Sequence, residues 1–132
     1  VAGPFVVRVS APLERGVTVK YLLLVCPDPT AEAGGDDADT DPGPWVEETT
    51  RRGIRVLGDR LRPPEDSTTV RVRGGEVLVT DGPFAETKEQ FGGFDVLECA
   101  DLDEAIEVAA KHPMARYGVI ELRPFWTLWS EE

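Results

Sequence analysis

The chain has 132 residues and a formal charge of −11, a size that suits one domain able to bury roughly two-thirds of its unfolded surface. With 14 basic against 25 acidic residues it has no basic face to displace counterions from phosphates, which argues against nucleic acid and anionic membranes as partners. Two cysteines without zinc-site spacing, a single histidine and no apolar run near the ~20 residues of a membrane span predict a soluble, cytoplasmic, thiol-reduced protein with no metal and no cofactor.

In chain order, residues 1–18 are not a signal peptide, because Arg8, Pro12, Glu14 and Arg15 interrupt any apolar stretch. Lys20–Cys26 is an apolar run of strand length and reads as a central buried strand, ended by Pro27 and Pro29. Residues 28–43 are rich in Asp, Gly, Pro and Ala with no basic side chain, and cannot bury enough surface to offset their ordering entropy. A mobile acidic loop is expected there, with a solvated tether as its plain role.

Pro44–Arg52 is the first predicted helix, anchored by Trp45 and stopped by Gly53, with a start before Pro44 left open. Ile54–Leu61 alternates as a strand and ends at Pro63-Pro64. Thr68–Arg73 and Glu76–Thr80 flank Gly74-Gly75, a strong signal for a two-residue hairpin, with Arg71 and Arg73 on one solvated face. Asp81-Gly82-Pro83 cannot continue that strand, and Asp81 is placed to cap a helical turn through Phe84–Lys88. Gly93–Cys99 is the next strand, Asp101 caps a helix over Leu102–Lys111, and Gly118–Leu122 is the last strand. Without its hairpin, this order is the split β-α-β arrangement of a ferredoxin-like antiparallel sheet.

The run Asp81-Gly82-Pro83-Phe84-Ala85-Glu86-Thr87-Lys88-Glu89, followed by Gly92-Gly93-Phe94, resembles the signature of the YCII-related proteins, in the branch named for its Asp-Gly-Pro-Phe motif. Flanking matches at Lys20–Leu24, Asp103–Ile106, His112-Pro113 and Glu121–Pro124 extend the resemblance from about Val19 to about Phe125. The resemblance implies an α+β fold of the dimeric α+β barrel type, helices on one face, and mostly unassigned activity. It also implies a link to extracytoplasmic-function sigma factors, hence a protein partner in transcription. Val19 stands where the family usually starts. Residues 1–18 therefore have two readings: translated upstream sequence before a GUG start codon, or a genuine extra strand through Pro4–Val9. Residues 19–132 form the single domain.

In a ferredoxin-like sheet the first strand lies between the third and fourth core strands and antiparallel to both. The end at Cys26-Pro27 then neighbours Gly92-Gly93, and the second helix returns His112 to that end. Asp81, Glu86, Lys88, His112 and Arg60 or Arg62 are expected around one cleft. His112 has the one side chain with an unperturbed pKa near neutrality and is the candidate general acid or base, with Asp81 orienting it or acting directly. Glu86, Lys88 and Arg62 are the substrate-binding candidates. The competing account makes His112 a cation at a helix C-terminus and Asp81 a turn cap. Founding members of the resembled family carry a proposed histidine and aspartate pair. Here His112 stands where that aspartate is expected, and the histidine has no counterpart.

No nucleophile elbow surrounds Ser10, Ser67 or Ser130, and no Gly-rich segment forms a phosphate cradle. Cys26 and Cys99 are expected as buried reduced thiols at opposite ends of the sheet. Two functions remain open: a small-molecule-binding homodimer with isomerase- or lyase-like proton transfer, and a non-catalytic accessory or regulatory protein linked to sigma factors. For the homodimer, Phe125, Trp126 and Trp129 are the expected interface anchors, since aromatic residues dominate buried interface cores.

Overall fold

The computed structural model describes residues 17–31, 37–84 and 91–126. Eleven elements follow one another: β1 (Val19–Cys26), α1 (Asp37–Thr40), α2 (Gly43–Arg51), β2 (Arg55–Arg60), a 3-10 turn (Pro64–Asp66), β3 (Thr68–Arg73), β4 (Glu76–Asp81), β5 (Gly93–Cys99), α3 (Leu102–Ala110), α4 (Met114–Tyr117) and β6 (Val119–Pro124). The main sheet is antiparallel with order β2-β5-β1-β6, and β3-β4 form a separate hairpin. This is the expected α+β, ferredoxin-like arrangement with an inserted hairpin.

Strand alternation decides which residues meet the helices. Tyr21 pairs with Leu97 and Leu23 with Asp95, and on the other side of β1 Leu23 pairs with Leu122. Residues 93, 95, 97 and 99 are all buried on this face. The core closes over Tyr21, Leu23, Leu97 and Cys99 with Trp45 of α2, Ile54, and Ala105 and Val108 of α3.

Local capping fixes where α3 begins. Asp101 accepts the Glu104 N–H at 2.9 Å, and Glu104 reaches back to accept the Ala100 N–H at 2.7 Å, so two donors at the helix start are satisfied reciprocally. Glu104 is almost wholly buried, and Arg52 at the end of α2 lies 3.9 Å from it and 3.8 Å from Glu107, tying the two helices together.

Residues 28–31 and 37–43 are more structured than an open tether. Asp28 accepts both the N–H and the hydroxyl of Thr30, Asp37–Thr40 form one helical turn, and Asp41 accepts the Gly43 N–H at 2.9 Å. Short carboxylates hold local turns that composition alone leaves out. Residues 32–36 lie outside the described residues, as does the extension 1–16.

Gly74 and Gly75 have φ of 56° and 81°, the left-handed pair that a two-residue hairpin turn requires. At the other end of the hairpin, β4 runs one residue further than its composition suggests. Asp81 pairs with Thr68, and the Gly82 N–H donates to Ser67 O at 2.7 Å. Arg71 lies over the Phe84 ring at 5.6 Å, so this arginine packs on the turn instead of being simply solvated. Most of the predicted helical turn, residues 85–88, falls outside the described residues.

Among the described residues no helix is long and apolar enough to cross a membrane. Cys26 and Cys99 are both buried and are not joined by a disulfide. The register puts Cys99 opposite Val19 and Cys26 opposite Val119, at the two ends of β1. Seven residues of strand at about 3.3 Å each separate them, well beyond the ~7 Å that a disulfide spans.

Candidate functional site

The helices cover the end of the sheet that carries Tyr21, Leu97 and Cys99 and leave the other end open. There the helix-facing positions are Val25, Gly58 and Gly93, two of them without side chains, and a cavity of about 860 Å³ remains. Its sheet wall adds Arg55, Arg60 and Asp95. Thr40, Pro42, Val46, His112 and Met114 form the helical wall, and Leu61–Pro64 with Phe91 and Gly92 line the mouth.

A β-bulge sets the sheet wall. Arg55 pairs with Leu97 and Leu57 with Val96, so one residue of β2 is extra and Arg55, Gly58 and Arg60 all face the helices. Arg55 Nε donates to Asp95 Oδ1 at 2.6 Å, within the buried layer. Burial pushes the Asp95 carboxyl up from the ordinary carboxylate range, and the Arg55 hydrogen bond and charge oppose that shift. The pair fits only because of Gly58. A Cβ there would collide with Asp95 Oδ1 and come within 2.6 Å of Phe94 O.

His112 follows α3, and its Nδ1 accepts the Met114 N–H at 3.0 Å. In the neutral ring the proton therefore sits on Nε2, a tautomer assigned from this hydrogen bond. The ring meets Trp45 edge-on at 4.6 Å between centroids, and Trp45 is itself fixed by donating Nε1–H to Val108 O at 2.9 Å. Burial lowers the His112 pKa to about 4. This corrects two sequence expectations: the ring is neutral at neutral pH, so it is neither poised near pH 7 nor a cation at the helix C-terminus.

The sign of the resulting pH dependence follows. A histidine with a depressed folded pKa is protonated first in the unfolded state, so its contribution is fully present above the unfolded value near 6.5 and is lost as pH falls toward about 4. The loss is expected to be no more than about 3–4 kcal/mol. Because the chain has one histidine, its imidazole proton resonances report directly. They should not titrate between pH 8 and about 5.5 in the folded protein, and a midpoint near 6.5 would contradict the burial.

The structure brings His112, Arg60 and Arg62 to one cavity, as the topology predicted. Arg62 is at the mouth, largely exposed and 2.9 Å from Asp66. Asp81 is not in the wall; it closes β4 on the hairpin. Glu86 and Lys88 lie outside the described residues. Sequence reasoning missed Asp95 and Arg55. The signal was present, since in Gly93–Cys99 the aspartate occupies the same alternation phase as Leu97 and Cys99, a charged residue in a core register. Among the described residues no group of three or more His, Cys, Asp or Glu side chains is arranged to hold a metal ion.

Compared with known proteins, the chain matches the YCII-related domain family over residues 19–128. It is also similar to an uncharacterized protein of Rhizobium meliloti (strain 1021), 48% identical over 67 residues that make up 49% of this chain and 54% of the relative. The match thus spans about half the length of that curated relative.

Proposed function

Because this chain belongs to the YCII-related family and encloses a largely apolar cavity with converging polar groups, we propose that it is a homodimeric small-molecule-binding protein of the Asp-Gly-Pro-Phe branch that catalyses proton transfer of isomerase or lyase type. The observation that carries this reading is the largely buried Arg55–Asp95 pair in the same cavity wall as a neutral His112. Cavities of this size with a few placed polar groups are the usual form of small-molecule sites. Asp95 is the proton acceptor: burial raises its basicity while Arg55 keeps it charged. His112, with its proton on Nε2, serves as a hydrogen-bond donor to an oxygen that gains charge. In an isomerisation the proton taken by Asp95 returns to a different carbon, so the step balances without a co-reactant. Asp81, outside the wall, acts on the turn in this reading and not on the ligand.

A thermal-shift screen of small metabolites tests ligand binding, since a ligand selective for the native state raises its stability by mass action. Stabilising compounds are then incubated with the protein in deuterated water. Wild type is expected to introduce deuterium on carbon, seen by mass spectrometry, and Asp95→Asn to bind without exchange. Stabilisation without exchange would remove the chemistry and leave binding; no stabilising compound at all would count against both.

A second reading has its own support. On the hairpin Val70 pairs with Val79 and Val72 with Val77, so four valines share one face, and each is more than half exposed. Such a face suits protein contact, in line with an accessory protein linked to extracytoplasmic-function sigma factors.

A further inference from the structure

The cavity wall holds three arginines and two aspartates in a chain of net charge −11. Two of the guanidinium groups are engaged, Arg55 by Asp95 at 2.6 Å and Arg62 by Asp66 at 2.9 Å. Arg60 has no carboxylate within ion-pair distance among the described residues. The neighbouring Asp59 uses its Oδ1 to accept the Arg60 backbone N–H at 2.8 Å. Arg60 pairs in register with Gly93, where the two strands approach closely: a Cβ on Gly93 would lie 3.3 Å from Asp59 O and 3.6 Å from Arg60 Cα. The same cavity is lined by the apolar side chains of Val25, Val46, Phe91 and Met114.

A guanidinium with no counter-ion among the described residues, at the edge of a cavity with apolar walls, selects for charge and for body together. Its planar fork takes an acid group in two parallel hydrogen bonds, while the apolar wall gains from removing a hydrocarbon surface from water. We infer that the cavity binds an organic anion with an apolar body, its acid group on Arg60 and its body against Val25, Val46, Phe91 and Met114. This inference rests on the small-molecule reading and adds the chemical class of the ligand.

Two fluorescent probes of nearly equal body separate charge from shape: 8-anilino-1-naphthalenesulfonate, an anion, and N-phenyl-1-naphthylamine, which lacks the acid group. Wild type is expected to bind the anion more tightly, with affinity falling as salt is added. Arg60→Gln should weaken the anion about tenfold or more and leave the neutral probe unchanged. Arg73→Gln, at an exposed hairpin side chain outside the cavity wall, should change neither much. Circular dichroism melting confirms that both variants fold. Equal binding of the two probes by wild type, or an anion affinity that Arg60→Gln does not alter, overturns the anion assignment while small-molecule binding stands. Failure of both probes to bind overturns the two readings together.

Discussion

Gly58→Ala is expected to destabilise the protein by about 3 kcal/mol, the upper end of the usual range for overpacking. The added Cβ would collide with Asp95 Oδ1 and press to 2.6 Å from Phe94 O, a backbone atom of the paired strand. Either β2 and β5 part, or Asp95 leaves Arg55 and a buried carboxylate loses its counter-charge, and both outcomes are costly. Gly92→Ala is the matched control, because a Cβ there meets nothing within 4 Å; its effect should stay within about 0.5 kcal/mol. Urea denaturation of the two variants measures the difference. Equal midpoints would show that the close approach at Gly58 is not a constraint on the fold.

The second large effect concerns assembly. The helices cover one face of the sheet, and on the other Leu22 pairs with Val96, Leu24 with Phe94, and Leu57 with Val96 across the adjoining strand. This apolar centre is rimmed by Lys20 with Glu98 at 3.8 Å and by Arg123 with Glu121 at 2.8 Å. An apolar core inside a charged rim is the anatomy of a protein interface, and a two-fold pair of identical faces is the commonest way to cover it. Sedimentation equilibrium at micromolar concentration is expected to show a dimer. Val96→Glu should raise its dissociation constant about 100-fold or more, because two charges would be buried without partners. A wild-type monomer would end the dimer proposal. A dimer indifferent to Val96→Glu would shift attention to Phe125 and Trp126, which are 43% and 79% exposed; the third aromatic anchor, Trp129, lies outside the described residues.

Much of the architecture was legible because it depends on local rules. The alternation in Gly93–Cys99, the Asp101 cap and the Gly74-Gly75 turn each express a backbone preference that a short window of sequence contains. The strand order followed from the element order and the restrictions on how connections cross a sheet. The gathering of His112, Arg60 and Arg62 at one end of the sheet followed in turn from that strand order.

The electrostatic character of the site was a different matter. The unperturbed pKa of His112 is near neutrality, but burial against Trp45 lowers it to about 4, and no window of sequence around residue 112 contains Trp45. Asp95 sits in a core register that its strand alternation shows, but the partner that makes it tolerable, Arg55, is turned toward it by the bulge in β2, 40 residues away in the chain. Hydrophobic period, caps and turn residues are properties of neighbours along the chain, and the sequence by itself determined those. Desolvation and charge pairing are properties of neighbours in space, so the neutral histidine, the largely buried Arg55–Asp95 pair and an Arg60 with no carboxylate partner among the described residues were decided only when the sheet closed on its helices.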